Sequence, residues 1–385
     1  MKVLVISRMF PNELNPADGI FVREQLASMP PHVTVKVFAP LDFLYFIKNR
    51  DRIKKRCRLS DSLEVYHPLA APRLSVTEPF LGLLYFISIL LAFLKIRRSF
   101  SPDIIHAHTA YPDGLAACLL GRLIRRPVVI TEHTGPFEML LRRPWERWGT
   151  RHALRSCSAV IAVSRFLKDR MEKEGVGKDK ISVIPNGVNT AMFTPCDTPR
   201  GRRNTLLFVG FLVEIKGVPC LLEAMQILRD TFNADIFLEI AGSGPSEPAL
   251  QELIRTLRLT DRVRFTGFVP HEEVPRLICH ADLVVLPSLY ETFGIILIEA
   301  MAMGKPVVAT RCGGPEDIVT GETGRLVPAG DPRALADAIR HVLDNYGDYG
   351  PERISEIAKE KFSFDAVNSR IIGLYGALLG AASGW

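Results

Sequence analysis

Short apolar runs rich in Val, Ile and Leu recur along the chain, each closed by turn residues. In the first half they occupy 3–7, 33–40, 104–108, 127–133, 159–164 and 181–185. In the second half they occupy 205–210, 236–242, 263–267, 281–287, 306–310 and 324–328. Segments with a helical apolar period lie between most of them, for instance 219–230 and 295–304. Uninterrupted apolar strands alternating with helices predict parallel sheets covered on both faces, an α/β architecture. Asp331-Pro332 predicts a helix start, a capping carboxylate followed by a proline in the first turn.

Residues 194–204 (TPCDTPRGRRN) break this rhythm: they are polar, aperiodic and carry two prolines. This places a domain boundary there and predicts two Rossmann-like domains, one over 1–195 and one over 196–365. Residues 366–385 are expected to form a final helix packing back toward the first domain. Two doubly wound domains of similar size would face each other across a cleft, and ligands in such sheets bind beyond the carboxyl ends of the strands. The unusual residues fall at those ends. In the first half these are His106, His108, His133 and Ser164; in the second they include Gly242, Gly244, Glu291, Gly313 and Gly314.

A length of 385 residues suits two domains, and 47% apolar with 23% charged residues excludes a disordered or collagen-like chain. Charge is uneven. Residues 1–195 hold 29 Lys+Arg against 17 Asp+Glu, a net of +12, and residues 196–385 hold 19 against 25, a net of −6. A basic half joined to an acidic half predicts that one half meets an anionic partner. The seven cysteines are scattered with no Cys-x-x-Cys pair, which argues against a zinc ribbon or a disulfide scaffold and fits a reducing cytosol.

The opening apolar run stops at Arg8, too short for the core of an export signal, and reads as a buried strand. The longest uncharged stretch, 79–94, has 16 residues, short of the roughly 20 that cross a bilayer as a helix. A buried helix is the preferred reading; a helix leaning on a membrane interface is the sharper one. The second gains weight from 41–58, where Leu, Phe and Tyr precede seven basic residues and one acid between Lys48 and Arg58. Aromatics beside a polybasic run suit anionic lipid, and a solvated basic face explains the run equally well. The expected place is the cytoplasm, peripheral on the inner face of the cell membrane if 41–58 and 79–98 meet anionic lipid. Nucleic acid is not an expected partner, because no recognition motif accompanies the basic run.

The common nucleotide motifs fail. Gly242-Ser-Gly244-Pro lacks the third glycine of a dinucleotide fingerprint, and Gly304-Lys305 lacks the rest of a P-loop. No Asp-x-Asp pair occurs, and His106-x-His108 shares a strand face without an assignable third ligand. The strongest constellation runs from Ser288 to Pro306. A strand ends, a loop carries Glu291, and a helix begins near Gly294, whose free N–H groups suit a diphosphate. Glu299 lies five residues further, in an otherwise apolar run where an unpaired charge is costly. The two glutamates would bracket a nucleotide diphosphate sugar, Glu291 at the sugar and Glu299 at the ribose.

With these residues the chain resembles the retaining, two-Rossmann-domain (GT-B) glycosyltransferases of family 4, the group 1 transferases. The Glu-x7-Glu element matches at Glu291 and Glu299, and EAMAxGxPVVA at Glu299–Ala309. Further matches are the glycine pairs Gly242/Gly244 and Gly313/Gly314, the Gly267–Pro270 turn and Ile184–Val188. The first half adds Thr131–Phe137 and Ala162–Ser164. The resemblance implies a donor site in which Lys216 meets the diphosphate and Glu291 the sugar hydroxyls, with the Phe293 and Gly294 backbone nearby. It gives Glu299 the ribose, Phe268 and Val269 the base, His133 the reacting sugar, and Gly19 a close approach to the phosphates. Where the family usually carries Arg after the glycine of its first strand, this chain has Phe211; Arg8 or Arg23 could supply that charge.

The implied activity is transfer from a UDP- or GDP-sugar to a hydroxyl of a glycan or lipid-linked acceptor, with retention and with neither cofactor nor metal. No carboxylate is assignable as a covalent nucleophile, so front-face attack on an oxocarbenium-like centre is expected. A nucleotide-sugar epimerase on the same scaffold and a transferase-like binding protein are the alternatives.

Overall fold

The computed structural model describes residues 1–49, 51–70, 78–196 and 204–382. The chain forms two compact units, one from Met1–Pro185 with the segment from Val367 onward, the other from Asn186–Ala366.

The first unit contains β1 (Lys2–Ile6), β2 (Thr34–Phe38), β3 (Leu41–Asp42), β4 (Arg56–Arg58) and β5 (Leu63–Tyr66). It continues with β6 (Leu69–Ala70), β7 (Ile104–His108), β8 (Val128–Glu132), β9 (Ala159–Ala162) and β10 (Ile181–Val183). Eight of these make one sheet in the order β10-β9-β8-β7-β1-β2-β5-β4, while β3 and β6 pair separately. Strand order reverses between β1 and β7, the place where open α/β sheets bind ligands. Val3 and Val5 of β1 pack with Val22 and Leu26 of helix Ile20–Ala27 and with Val367, Ile371 and Tyr375 of helix Phe364–Ala382. The C-terminal helix is thus part of the first unit's core.

The second unit contains β11 (Asn204–Val209), β12 (Ile236–Ala241), β13 (Val263–Gly267), β14 (Leu283–Leu286), β15 (Val307–Arg311) and β16 (Gly324–Pro328). They form one parallel sheet in the order β13-β12-β11-β14-β15-β16, with its reversal between β11 and β14. At the reversal β14 is buried along its whole length and β11 at Leu206–Phe208, which is why both read as apolar runs. The Asp331 cap is present: its carboxylate accepts from the Ala334 N–H at 2.9 Å, ahead of helix Pro332–Asp344.

The structure departs from the sequence reading in four places. The chain passes between units at Pro185/Asn186, ten residues before the expected boundary at 195/196. Val188 N–H bonds the Phe362 carbonyl at 2.8 Å and so already belongs to the second unit; residues 197–203 of the expected boundary lie outside those described. The first sheet is not wholly parallel, since β4 runs antiparallel to β5. Cys196 and Cys279, 83 residues apart, form one disulfide, a pairing that the search for a Cys-x-x-Cys spacing does not reveal. Motif spacing tests only near neighbours, and here the fold brings the two Cα atoms to 6.0 Å. Finally, the apolar segment 79–94 belongs to a longer helical stretch, Glu78–Ile96, whose 19 residues are long and apolar enough to cross a membrane by length and composition. The helix Leu81–Ile96 within it is buried on one side only.

Candidate active site

In the second unit the site grows from the ends of β11 and β14. After β11 the chain turns through Glu214–Lys216 to Gly217, which adopts φ +65° and starts helix Val218–Phe232. A Cβ at Gly217 would lie 2.0 Å from the Pro287 carbonyl oxygen, so only glycine lets this turn touch the end of β14. Leu289 N–H donates to the Ile215 carbonyl at 2.8 Å and ties the two loops together. The result is an ion pair: Lys216 Nζ donates to Glu291 Oε2 at 2.5 Å. Glu291 is also held through its backbone, its N–H to Cys312 O at 3.3 Å and its carbonyl from Gly314 N–H at 2.8 Å.

Gly294, at φ +101°, opens helix Ile295–Ala302, whose first N–H groups receive no side-chain cap. Such an end carries partial positive charge and open donors. Phe293 is buried and packs edge-on to Phe362 at 6.1 Å. Glu299, only 5% exposed, sits on the same helix and accepts from His271 Nε2 at 2.7 Å. His271 in turn lies 5.4 Å from the Phe193 ring. Just before it, Gly267 at φ +75° leads to an exposed Phe268 and a half-buried Val269. Phe211, in the turn after β11, is also exposed.

In the first unit Gly19 is buried at φ +65°, and a Cβ there would meet the Met9 carbonyl at 2.2 Å. Gly19 therefore has a packing role of its own, setting the start of helix Ile20–Ala27. The Phe21 ring on that helix packs at a tilt of 60°, 5.0 Å from the ring of His133, which follows β8. His133 Nε2 and His108 Nδ1 are 3.0 Å apart with rings nearly parallel, and His108 stacks on His106 at 4.6 Å. Both nitrogens of His106 are engaged, by the Tyr375 hydroxyl and by Thr131 Oγ1. Burial lowers the His106 pKa to about 3 and pushes His108 well down, so both rings are neutral. This is a structural stack that supports His133. Glu132 beneath it is fully buried, which raises its pKa, and it accepts from the N–H groups of Ala110, His133 and Thr134.

The sequence reading named Lys216, Glu291, Phe293, Gly294 and Glu299, and the fold brings Lys216 to Glu291 and sets the rest on the loop and helix that follow. It missed His271, which directly follows the Gly267–Pro270 turn, and Ser288. The Ser288 hydroxyl is buried with no hydrogen-bond partner, and its carbonyl accepts from Thr310 Oγ1 at 2.5 Å.

Comparison with known proteins identifies the family. Residues 203–345 match the family described as Glycosyl transferases group 1, and residues 33–192 match Glycosyltransferase Family 4. The alpha-D-kanosaminyltransferase of Streptomyces kanamyceticus is 30% identical over 309 residues, covering 73% of this chain and 78% of that protein. A D-inositol 3-phosphate glycosyltransferase of Corynebacterium glutamicum is 31% identical, covering 83% and 82%. Among solved structures, sucrose-phosphate synthase from Thermosynechococcus elongatus superposes with a TM-score of 0.80 at 22% identity, covering 99% of this chain and all of that one. HepE of Anabaena in complex with UDP-glucose gives 0.72 at 21%, covering 98% and 100%. None of these is an epimerase, and the likeness supports the GT-B fold class of two Rossmann-like halves. The chain belongs to the group 1, family 4 glycosyltransferases, enzymes that transfer a sugar from a nucleotide sugar.

Proposed function

We propose that this glycosyltransferase moves a sugar from a UDP- or GDP-sugar to a hydroxyl of a glycan or lipid-linked acceptor, with retention at the anomeric carbon. The observation that carries the reading is the Lys216–Glu291 pair at the reversal of the second sheet, beside the uncapped start of helix Ile295–Ala302. Lys216 and that helix start take the diphosphate and stabilise the negative charge that develops as the bond to the sugar loosens. Glu291 binds the sugar hydroxyls. Glu299, oriented by His271, accepts from the ribose hydroxyls, and the backbone at Phe268 and Val269 borders the base. Charge on the leaving group is met by these residues without a metal or a cofactor.

His133 is assigned the contact to the reacting sugar, with its ring fixed by Phe21 and His108. The acceptor hydroxyl attacks from the face the diphosphate leaves, and the departing phosphate takes its proton. HepE is named as a complex with UDP-glucose, which supports a UDP-sugar as the first donor to try.

A thermal-shift panel of UDP- and GDP-sugars on the wild-type chain and on Lys216→Ala tests the reading. One nucleotide class should stabilise the wild type and lose most of that effect in the variant. Product analysis by proton NMR then reads the anomeric configuration. An inverted product would end the retaining assignment.

A further inference from the structure

We propose that the first unit carries a docking face for an anionic lipid bilayer, built on helix Leu81–Ile96, and that this helix lies in the interface rather than crossing it. The proposal deepens the lipid-linked acceptor reading and rests on it for its role, but its physical basis is independent of the donor site.

The two sides of the helix differ. Inward, Tyr85, Ile89 and Phe93 are buried. The Tyr85 hydroxyl donates to Asp113, and Ser88 Oγ donates to the Leu69 carbonyl at 2.7 Å. Asp113 is itself buried, with further bonds from Arg8 N–H and Thr109 Oγ1. Carrying this helix across a bilayer would strip those polar groups of their partners, so the segment stays with its unit. Outward, Phe80, Leu83, Ile87, Leu91 and Leu94 recur at helical spacing and are 42–61% exposed. A contiguous exposed apolar stripe of this kind marks an interaction surface. Helix Phe43–Lys48 packs on the same β3–β6 ribbon and exposes Phe43, Leu44 and Ile47.

Charge selects the occupant. Lys95, Arg97 and Arg98 are exposed at the end of the stripe. Lys48, the last residue of the shorter helix, and Arg52, Lys54 and Lys55 beyond it are also exposed. Lys55 and Arg56 line one cavity of about 400 Å³ together with Leu91 and Lys95, which places the cationic run against the apolar stripe. Arg56 is turned partly inward to Glu64, whose carboxyl is held down at about 2 by Tyr66, Lys36 and Arg56 against the opposing effect of burial. A second copy docked on this face would set like charges against each other. A bilayer with anionic headgroups accepts both the apolar stripe and the cations around it.

The test is flotation of the full chain with vesicles of phosphatidylcholine alone or with about 30% phosphatidylglycerol, without donor or acceptor. The wild type should float with the anionic vesicles, release at high salt, and stay behind with the zwitterionic ones. Arg52→Gln/Lys54→Gln/Lys55→Gln should lower partition about a hundred-fold, from about 1 kcal/mol per cation. Leu83→Ser/Leu91→Ser should lower it at least about ten-fold. Both should melt close to wild type, since the changed side chains are exposed and the largest contact given up is that of Lys55 over the Phe46 ring at 5.0 Å. The proposal falls if the wild type ignores anionic vesicles, or if both folded variants float like it. It falls equally if sedimentation velocity finds a dimer that Leu83→Ser/Leu91→Ser abolishes while no vesicle binding is seen. Nucleotide thermal shifts on the same samples separate the readings: docking can fail while nucleotide binding persists.

Discussion

Lys216 and Glu291 stand 75 residues apart in sequence, yet the ammonium of one donates to the carboxylate of the other at 2.5 Å. The pair forms because two loops, one after β11 and one after β14, are hydrogen-bonded to each other at Leu289 and Ile215. A diphosphate arriving at the helix start would compete with Glu291 for the Lys216 charge. On the proposed reading Lys216 would serve two anions in turn, and its removal should matter more than that of a surface cation.

Lys216→Ala is expected to lower kcat/KM about 10²–10³-fold, the loss typical of one transition-state donor. Release of free nucleotide in the presence of donor and acceptor measures it. A change smaller than about three-fold would remove Lys216 from the mechanism.

His271→Ala should destabilise the second unit by about 1–3 kcal/mol, because Glu299 is left as a buried carboxylate without its donor. Glu299→Gln keeps a hydrogen-bonding group there and should melt close to wild type while raising the donor KM. Equal melting temperatures for His271→Ala and wild type would show that the pair does not bear on stability.

The histidine stack gives a pH prediction. Folded His106 stays neutral down to about 3, whereas the unfolded ring protonates near 6.5. Between those values the unfolded chain binds a proton that the folded chain refuses, so stability falls as pH drops, by at most about 1.4 kcal/mol per unit. His108 shifts in the same direction. Asp113, raised by burial from 3.8 to about 6, acts oppositely, its contribution falling as pH rises through that window. The clean readout is therefore the difference between wild type and His106→Gln in urea unfolding from about pH 7.5 to about pH 5. The wild type should lose stability relative to the variant on acidification, and parallel curves would contradict the assignment.

Gly314→Ala should disable the donor site. Its Cβ would sit 2.2 Å from Phe293 Cα, which forces the loop carrying Glu291 away from its Gly314 bond. Loss of the nucleotide-induced thermal shift, with most secondary structure retained by circular dichroism, is the expected result. A normal shift would mean that the loop tolerates displacement.

The twelve strands read from apolar runs all appear, most ending within two residues of expectation, because buried parallel strands cannot hide their composition. The two pieces of sheet that escaped notice, β4 with β5 and β3 with β6, lie within and around the polybasic run. In the first of them charge masked the pattern: Arg56 of β4 and Glu64 of β5 are strand residues that pair with each other, Glu64 also reaching Lys36 on β2. Glu299 was legible because a carboxylate inside IILIEAMAM demands a partner. The partner itself, His271, was not, since it comes from a turn 28 residues earlier. The Cys196–Cys279 bond was hidden in the same way, by distance along the chain. Gly19 was legible as a special glycine, but the neighbour its backbone meets is Met9.

The place of Tyr375 has a consequence for biosynthesis. The second unit is a continuous stretch of chain and can assemble as soon as it leaves the ribosome, while the first needs Val367, Ile371 and Tyr375 to close its interior. The amino-terminal half, made first, is thus finished last, reversing the usual order in which nascent domains mature. A product stopped just after Ala366 would contain the whole second unit attached to an incomplete first one.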